Sequence, residues 1–186
     1  MAPKTILALD PSSTCTGYAV LDFSGRLIEG GILRPTSARL DPATRISQMC
    51  ADLRALLNLT RPKAIVIEWT SGHVGGRRHH GHGSGLAIYG VALGSLWQTA
   101  VGWAQGLGIE VIRILENTWT RGIPKVERSA RVRMLYPSYN PAADPGGDLA
   151  DAVGIAVFYL ELRRHGLQVD RPEISAGCDR QGDRPW

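Results

Sequence analysis

The pattern of apolar and polar positions predicts five strands and four helices along this chain. The predicted strands cover residues 6–9, 16–21, 27–33, 64–67 and 109–114. The continuous apolar runs at 6–9 and 64–67 are typical of central strands that are covered on both faces. A turn at residues 22–25, where Gly25 supplies a permissive backbone, joins the second and third strands as a hairpin.

Apolar residues at helical spacing predict helices at 42–58, 86–106, 127–135 and 148–165. Asp41 as N-cap, followed by Pro42 at the first helical position, indicates where the first helix begins. A three-strand meander followed by strand–helix alternation predicts an α/β fold with a mixed sheet. We expect one domain over residues 1–165, followed by a loosely ordered polar tail at 166–186.

Composition and charge narrow the class of protein only moderately. The hydrophobic fraction of 44% and the charged fraction of 20% are ordinary for a soluble globular protein. The net charge of +4 favours a polyanionic partner such as nucleic acid, especially if bound ions mask some carboxylates. The three cysteines lack the spacing of a disulfide framework or a zinc site, and no uncharged run reaches membrane-spanning length. We therefore expect a cytoplasmic protein without a membrane segment.

Four acidic residues stand at positions where a carboxylate needs a partner. Asp10 and Glu68 are each predicted to be the last residue of a buried, parallel-type strand, so their side chains are expected at the same edge of the sheet. Asp148 and Asp151 are three residues apart and share one face of the last helix. Unpaired carboxylates this close repel each other. Two magnesium ions would resolve the repulsion, and such a pair supports phosphodiester hydrolysis. The pattern favours a metal-dependent nuclease.

Each carboxylate also has a simpler interpretation. Asp10 before Pro11 is typical of a turn, and Glu68 could be an exposed charge at a strand end. Asp148 could be a helix N-cap and Asp151 a first-turn residue favoured by the helix dipole. Their joint occurrence at these positions favours the metal site.

Three segments resemble motifs of the RuvC-type Holliday junction resolvases. Residues 7–20 (LALDPSSTCTGYAV) resemble a strand that ends in Asp-Pro-Gly and is followed by a Thr-Gly-aromatic strand. Residues 65–68 (IVIE) resemble the strand of the catalytic glutamate, and 148–152 (DLADA) the closing Asp-x-x-Asp-Ala helix. The order and spacing of these motifs match those of the family from residue 5 to about 162. Ser12 stands where the family usually has glycine, and the segment after Glu68 is longer than the family's loop.

The resemblance implies an RNase H-like three-layer fold, with a mixed five-stranded sheet and helices on both faces. It implies a homodimer that resolves four-way (Holliday) DNA junctions by paired, two-metal-ion phosphodiester hydrolysis. The catalytic and metal-binding residues would be Asp10, Glu68, Asp148 and Asp151, here called the carboxylate quartet. They would hold two Mg²⁺ ions, for which Mn²⁺ would substitute. Separately, the arginine-rich composition indicates a bacterial or phage origin.

Basic residues concentrate between Arg113 and Arg133, where six of them face two acidic residues. In the resembled family this region contacts the scissile phosphate. By position, Lys125 and Arg128 are the best candidates here, followed by Arg121 and Arg131. The alternative is a solvated helix face.

Three further features have two interpretations each. The glycine- and histidine-rich loop 71–85, with Arg77 and Arg78, is interpreted as an arm that orders on nucleic acid, rather than plain disorder or a metal site. Trp69 either stacks on a base at an opened junction or caps the core. The small residues of helix 86–106 serve a dimer interface, close packing within the subunit, or both.

Two other functions remain as alternatives. A related RNase H-like nuclease would act on structured RNA or other branched DNA. A catalytically silent DNA-binding scaffold would have no need of an intact carboxylate quartet. Sugar kinases and actin-like ATPases begin with a similar strand and aspartate, but 186 residues leave no room for their second lobe.

Overall fold

A computed structural model describes residues 4–70 and 83–167 of the chain. Its strands are β1 (Thr5–Pro11), β2 (Thr16–Asp22), β3 (Leu27–Leu33), β4 (Ala64–Trp69) and β5 (Glu110–Leu115). They form one sheet in the order β3-β2-β1-β4-β5. β2 is antiparallel to β1 and β3, whereas β4 is parallel to β1 and β5. The predicted mixed five-stranded sheet is confirmed.

Helices cover both faces of this sheet. They are α1 (Pro42–Thr60), α2 (Gly83–Ala104), α3 (Glu116–Thr120), α4 (Lys125–Leu135) and α5 (Asp148–Arg164). Side chains alternate between the faces of a strand. Leu7 and Leu9 therefore pack with α1 and α2, while Ile6 and Ala8 pack with α5. The predicted α/β fold with three layers is confirmed.

Local signals explain where the helices begin. The Asp41 carboxylate accepts the backbone N–H of Thr44 at 3.0 Å, and Pro42 is the first residue of α1. α4 begins at Lys125, two residues before the predicted start, because Pro124 provides the extended residue that precedes it. The five-residue helix α3 was not predicted, since Leu115, the residue before its start, has no side chain that can cap it.

The start of α5 lies directly on the backbone of β2. A Cβ atom at Gly17 would lie 2.0 Å from the carbonyl oxygen of Asp148, which no side chain could tolerate. Glycine at this position therefore allows main chain to contact main chain. This contact sets the height of α5 above the sheet.

No helix within residues 4–70 and 83–167 combines the length and apolar character needed to cross a bilayer. Residues 71–82, with Arg77 and Arg78, lie outside the described residues, as do residues 168–186, which include most of the expected tail. The domain boundary at residue 165 stays a prediction.

Candidate metal centre and nucleic-acid interface

The two strand carboxylates of the quartet lie side by side. β1 and β4 are parallel, with Leu9 opposite Ile67, and the same register places Asp10 beside Glu68. Both side chains point to the α5 face of the sheet, in phase with Ala8 and Val66. Neither residue ends its strand as predicted. β1 continues because Pro11 keeps an extended backbone and pairs with Thr16, and β4 continues to Trp69.

A buried aspartate holds the start of α5, where the two helix carboxylates lie. One oxygen of Asp144 accepts the backbone N–H of Asp148 at 2.9 Å. The other accepts the N–H of Ala150 at 3.0 Å and the hydroxyl of Tyr139 at 2.9 Å. Asp144 is only 4% exposed, so these bonds are shielded from water. They fix the first turn that carries Asp148 and Asp151.

The helix carboxylates are paired with basic groups from α4. Arg128 donates to both oxygens of Asp151, at 2.8 and 2.9 Å, in the bidentate geometry that suits a guanidinium. The Nζ of Lys125 lies 3.0 Å from an oxygen of Asp151 and 3.3 Å from an oxygen of Asp148. The thiol of Cys15 donates to the other oxygen of Asp148 at 3.2 Å. A lysine thus sits between the two aspartates of α5.

The strand carboxylates, Asp10 and Glu68, have far less positive charge beside them than the helix carboxylates do. Glu68 accepts the indole N–H of Trp119 at 2.7 Å. Among the described residues Asp10 has no hydrogen bond or ion pair, although the charge of Lys125 acts on it. Burial raises the pKa of Asp10 well above its ordinary value, and the nearby charges of Glu68 and Asp151 add to the shift. Burial also raises the pKa of Glu68 to about 7, opposed by the Trp119 N–H.

The four residues of the quartet are close enough to interact electrostatically, but they do not enclose an ion as they stand. Besides burial, the negative charges of Glu68, Asp151 and Asp148 each raise the pKa of Asp10. In the described part of the chain, no three Asp, Glu, His or Cys side chains have the geometry of a metal site. The oxygens of Asp148 and Asp151 instead face Lys125 and Arg128. Ion binding by the quartet stays a prediction and requires these side chains to rearrange.

The predicted DNA-binding residues separate into two groups. Lys125 and Arg128 lie at the carboxylates, as their predicted role requires. Arg121 lies apart from them, with its guanidinium 5.8 Å from the ring centre of Phe158. Arg131 pairs with Glu127 at 2.7 Å, one turn away on the exposed side of α4. That pairing favours a solvated helix face for Arg131, and DNA contacts by these four residues stay predictions.

Trp69 is part of an aromatic group beside Glu68. Its ring meets Trp97 of α2 edge to face, with centroids 5.6 Å apart. The guanidinium of Arg113 lies 5.3 Å from the Trp69 centroid and 5.5 Å from that of Trp97. These contacts favour the core-capping interpretation, while base stacking by Trp69 stays a prediction.

The sequence analysis missed three residues that contact the quartet or hold it in place. Trp119 reaches Glu68 across 51 residues of sequence, and nothing local indicates that contact. Cys15 was considered only as a possible disulfide or zinc ligand, and no local signal marks its bond to Asp148. Asp144 had a detectable signal, because an aspartate shortly before a helix is a common capping residue.

Without metal ions, we expect the free energy of unfolding to fall as pH rises from 4.5, the ordinary pKa of a glutamate, to about 7. Glu68 binds its proton more tightly in the folded chain, and the pKa of Asp10 is shifted in the same direction. The folded state therefore holds more protons in this window, so stability decreases with pH. Urea unfolding in chelator at about pH 5 and about pH 8 measures the difference. Glu68→Gln should weaken this dependence, and greater stability at the higher pH would contradict it.

Proteins similar in sequence to this chain bear the name of the family whose motifs it resembles. A crossover junction endodeoxyribonuclease RuvC from Magnetococcus marinus is 26% identical over 186 residues, covering 97% of each chain. The protein of that name from Burkholderia vietnamiensis is 29% identical, covering 91% of this chain and 98% of its own. No protein-family model matches the chain. The chain is thus similar to RuvC-type resolvases over nearly its full length, and the predicted resemblance is confirmed.

Solved structures agree on the fold. The Thermus thermophilus RuvC in complex with a Holliday junction substrate superposes with a TM-score of 0.66 at 21% identity, covering 88% of this chain and 96% of its own. The yeast mitochondrial Holliday junction resolvase gives a TM-score of 0.56 at 15% identity, covering 87% of this chain and 80% of its own. The predicted RNase H-like fold is therefore confirmed.

Proposed function

We propose that this chain is a structure-selective endodeoxyribonuclease that resolves four-way DNA junctions. The observation that carries the proposal is the pair of strand carboxylates: Asp10 is buried, Glu68 beside it is partly buried, and burial raises the pKa of both. The charges of Lys125 and Arg128 act on these two acids but do not offset the cost of burial, so such a site is suited to a further cation. The curated relatives, which share nearly the full length of the chain, support the nuclease class.

The carboxylate quartet would hold two Mg²⁺ ions, with Mn²⁺ as a substitute. Carboxylate oxygens are the ligands that Mg²⁺ prefers, and these four residues present them from two strands and one helix. When bound, the two ions would supply an activated nucleophile and neutralise charge on the scissile phosphate.

Lys125 and Arg128 would have complementary tasks beside the quartet. Arg128 is mostly buried and held by two bonds to Asp151 and one to the carbonyl of Ile123 at 2.7 Å, so it keeps the helix carboxylate in place. The side chain of Lys125 is 42% exposed and bridges two aspartates. Although burial opposes it, the charges of Asp151, Asp10 and Asp148 raise the pKa of Lys125. We infer that Lys125 leaves the aspartates when ions bind and then contacts the DNA phosphate.

A homodimer would bring two such sites to the two DNA strands that must be cut at a junction. We propose that α2 forms the interface. Gly90 and Gly94 leave open space at this helix, and Val91 between them is 58% exposed. Small and apolar residues of this kind permit close contact with a second copy. The bacterial source of the curated relatives supports a cytoplasmic location.

The proposed activity is tested with a labelled synthetic four-way junction, with Mg²⁺ and with a chelator. We expect paired, symmetric nicks that require the metal, and weak or no cleavage of linear duplex and structured RNA. Preferential cleavage of structured RNA or flapped DNA would favour the related nuclease class. Tight junction binding without any metal-dependent nick would favour the scaffold.

Lys125→Met is expected to strengthen Mn²⁺ binding by about tenfold or more, because a positive charge near the ion is removed. Nicking at saturating metal should become slower, since the phosphate contact is lost as well. Titration followed by the electron paramagnetic resonance of free Mn²⁺ measures the affinity. Lys63→Met is the matched control, because Lys63 is exposed at the end of β4 remote from Glu68. Weaker Mn²⁺ binding by Lys125→Met alone would contradict competition between the lysine and the ion.

A further inference from the structure

Trp119 connects the two halves of the carboxylate quartet. Its indole N–H donates to Glu68 at 2.7 Å, a short bond to the strand side of the site. Its ring lies 5.0 Å from the guanidinium carbon of Arg128, which in turn holds both oxygens of Asp151. Trp119 therefore contacts Glu68, a candidate ligand on β4, directly. It also supports Arg128, which holds Asp151, a candidate ligand on α5.

The indole is fixed in place by its surroundings. Trp119 is 7% exposed and packs into the core on the α5 side of the sheet. A Cβ atom at Gly154 would lie 2.8 Å from the indole ring, so glycine on α5 makes room for it. The ring thus has little freedom to turn, and its N–H stays directed at Glu68.

The Arg128 side of this arrangement is equally constrained. The guanidinium lies over the Trp119 ring and also donates to the carbonyl of Ile123 at 2.7 Å. A planar guanidinium over an aromatic face gains cation–π stabilisation while its edges remain available for hydrogen bonds. Asp151, only 3% exposed, is held by those edges. Its position therefore depends on the same ring that positions Glu68.

We propose that Trp119 is a positioning residue, whose indole sets the spacing between Glu68 and Asp151 and so prepares the quartet for divalent ions. This inference rests on the proposed metal-dependent function. Residues that hydrogen-bond a metal ligand orient it, and their loss commonly weakens metal affinity by about 10- to 100-fold. The N–H bond of Trp119 to Glu68 has this character, because it leaves the second oxygen of the carboxylate available to an ion.

The test compares Mn²⁺ affinity in wild-type protein, Trp119→Phe and Trp119→Leu, measured by electron paramagnetic resonance of the free ion. Phenylalanine keeps a ring beneath Arg128 but removes the donor to Glu68, so we expect affinity about tenfold weaker. Leucine removes the ring as well and should weaken binding further. Trp103→Phe is the matched control, because it removes an indole N–H bond of 2.8 Å to Asn58, between α2 and α1.

A second comparison separates positioning from general destabilisation. In a Glu68→Ala background, Trp119→Phe should change Mn²⁺ affinity no further, since the group it positions is absent. Trp119→Phe with a lower melting temperature but wild-type Mn²⁺ affinity would overturn the inference. Wild-type protein that binds Mn²⁺ but nicks no junction would overturn the proposed function instead, and wild-type protein that binds no Mn²⁺ would overturn both.

Discussion

Asp10→Asn is expected to abolish nicking of a four-way junction while leaving junction binding intact. Asp10 is buried, lacks a hydrogen-bonding partner among the described residues and lies beside Glu68, so its charge serves no visible role in packing. A lost metal ligand removes several kcal/mol of transition-state stabilisation, or a rate decrease of about 10³-fold or more. Gel assays of cleavage and of mobility shift on the same labelled junction measure the two properties separately.

The same substitution should make the metal-free protein more stable near pH 8. The raised pKa of Asp10 means that its ionised form is disfavoured in the fold, and an amide of the same shape removes this cost. Asp52→Asn, on the exposed side of α1, is the control that should change neither activity nor stability. Undiminished cleavage by Asp10→Asn would defeat the mechanism, and lower metal-free stability would contradict the electrostatic argument.

Asp144→Ala is expected to destabilise the protein by about 3 kcal/mol or more. The substitution leaves the backbone N–H groups of Asp148 and Ala150 and the hydroxyl of Tyr139 without their acceptor. Each buried, unsatisfied polar group costs about 1–3 kcal/mol. Because two of the three donors belong to the first turn of α5, that turn should fray and Mn²⁺ affinity should fall too. Urea unfolding measures the change in the free energy of unfolding.

Tyr139→Phe serves as the graded comparison for Asp144→Ala. It removes one of the three bonds to the same carboxylate and keeps the buried ring, so a loss of about 1 kcal/mol is expected. Equal effects from the two substitutions would mean that Asp144 does not hold the start of α5.

Most of the sheet and the placement of the strand carboxylates could be predicted from sequence. The continuous apolar runs before Asp10 and Glu68 indicate neighbouring central strands, and the structure brings the two acids together on one face. The spacing of Asp148 and Asp151 likewise predicts a shared helix face, and both face α4. Periodicity is informative here because burial of whole elements determines it.

Contacts between remote side chains could not be predicted in the same way. Trp119 lies in a five-residue helix too short to have a periodic pattern, and its partner Glu68 is on another strand. The exact position of Lys125 also depends on what else occupies the site. Its ammonium group lies within 3.3 Å of an oxygen of Asp148 and 3.0 Å of an oxygen of Asp151, a space that the proposed ions would also need.

The contact at Gly17 determines which parts of the molecule can move when ions arrive. Since the carbonyl of Asp148 already touches the β2 main chain, α5 has no room to descend toward the sheet. An inward shift of α5 at this point is blocked, so we expect the oxygens of Asp148 and Asp151 to approach Asp10 by rotation about their own side-chain bonds. If the quartet binds ions as proposed, loading would then exchange rotamers on an unchanged backbone, and the frame of the site would be complete before the ions arrive.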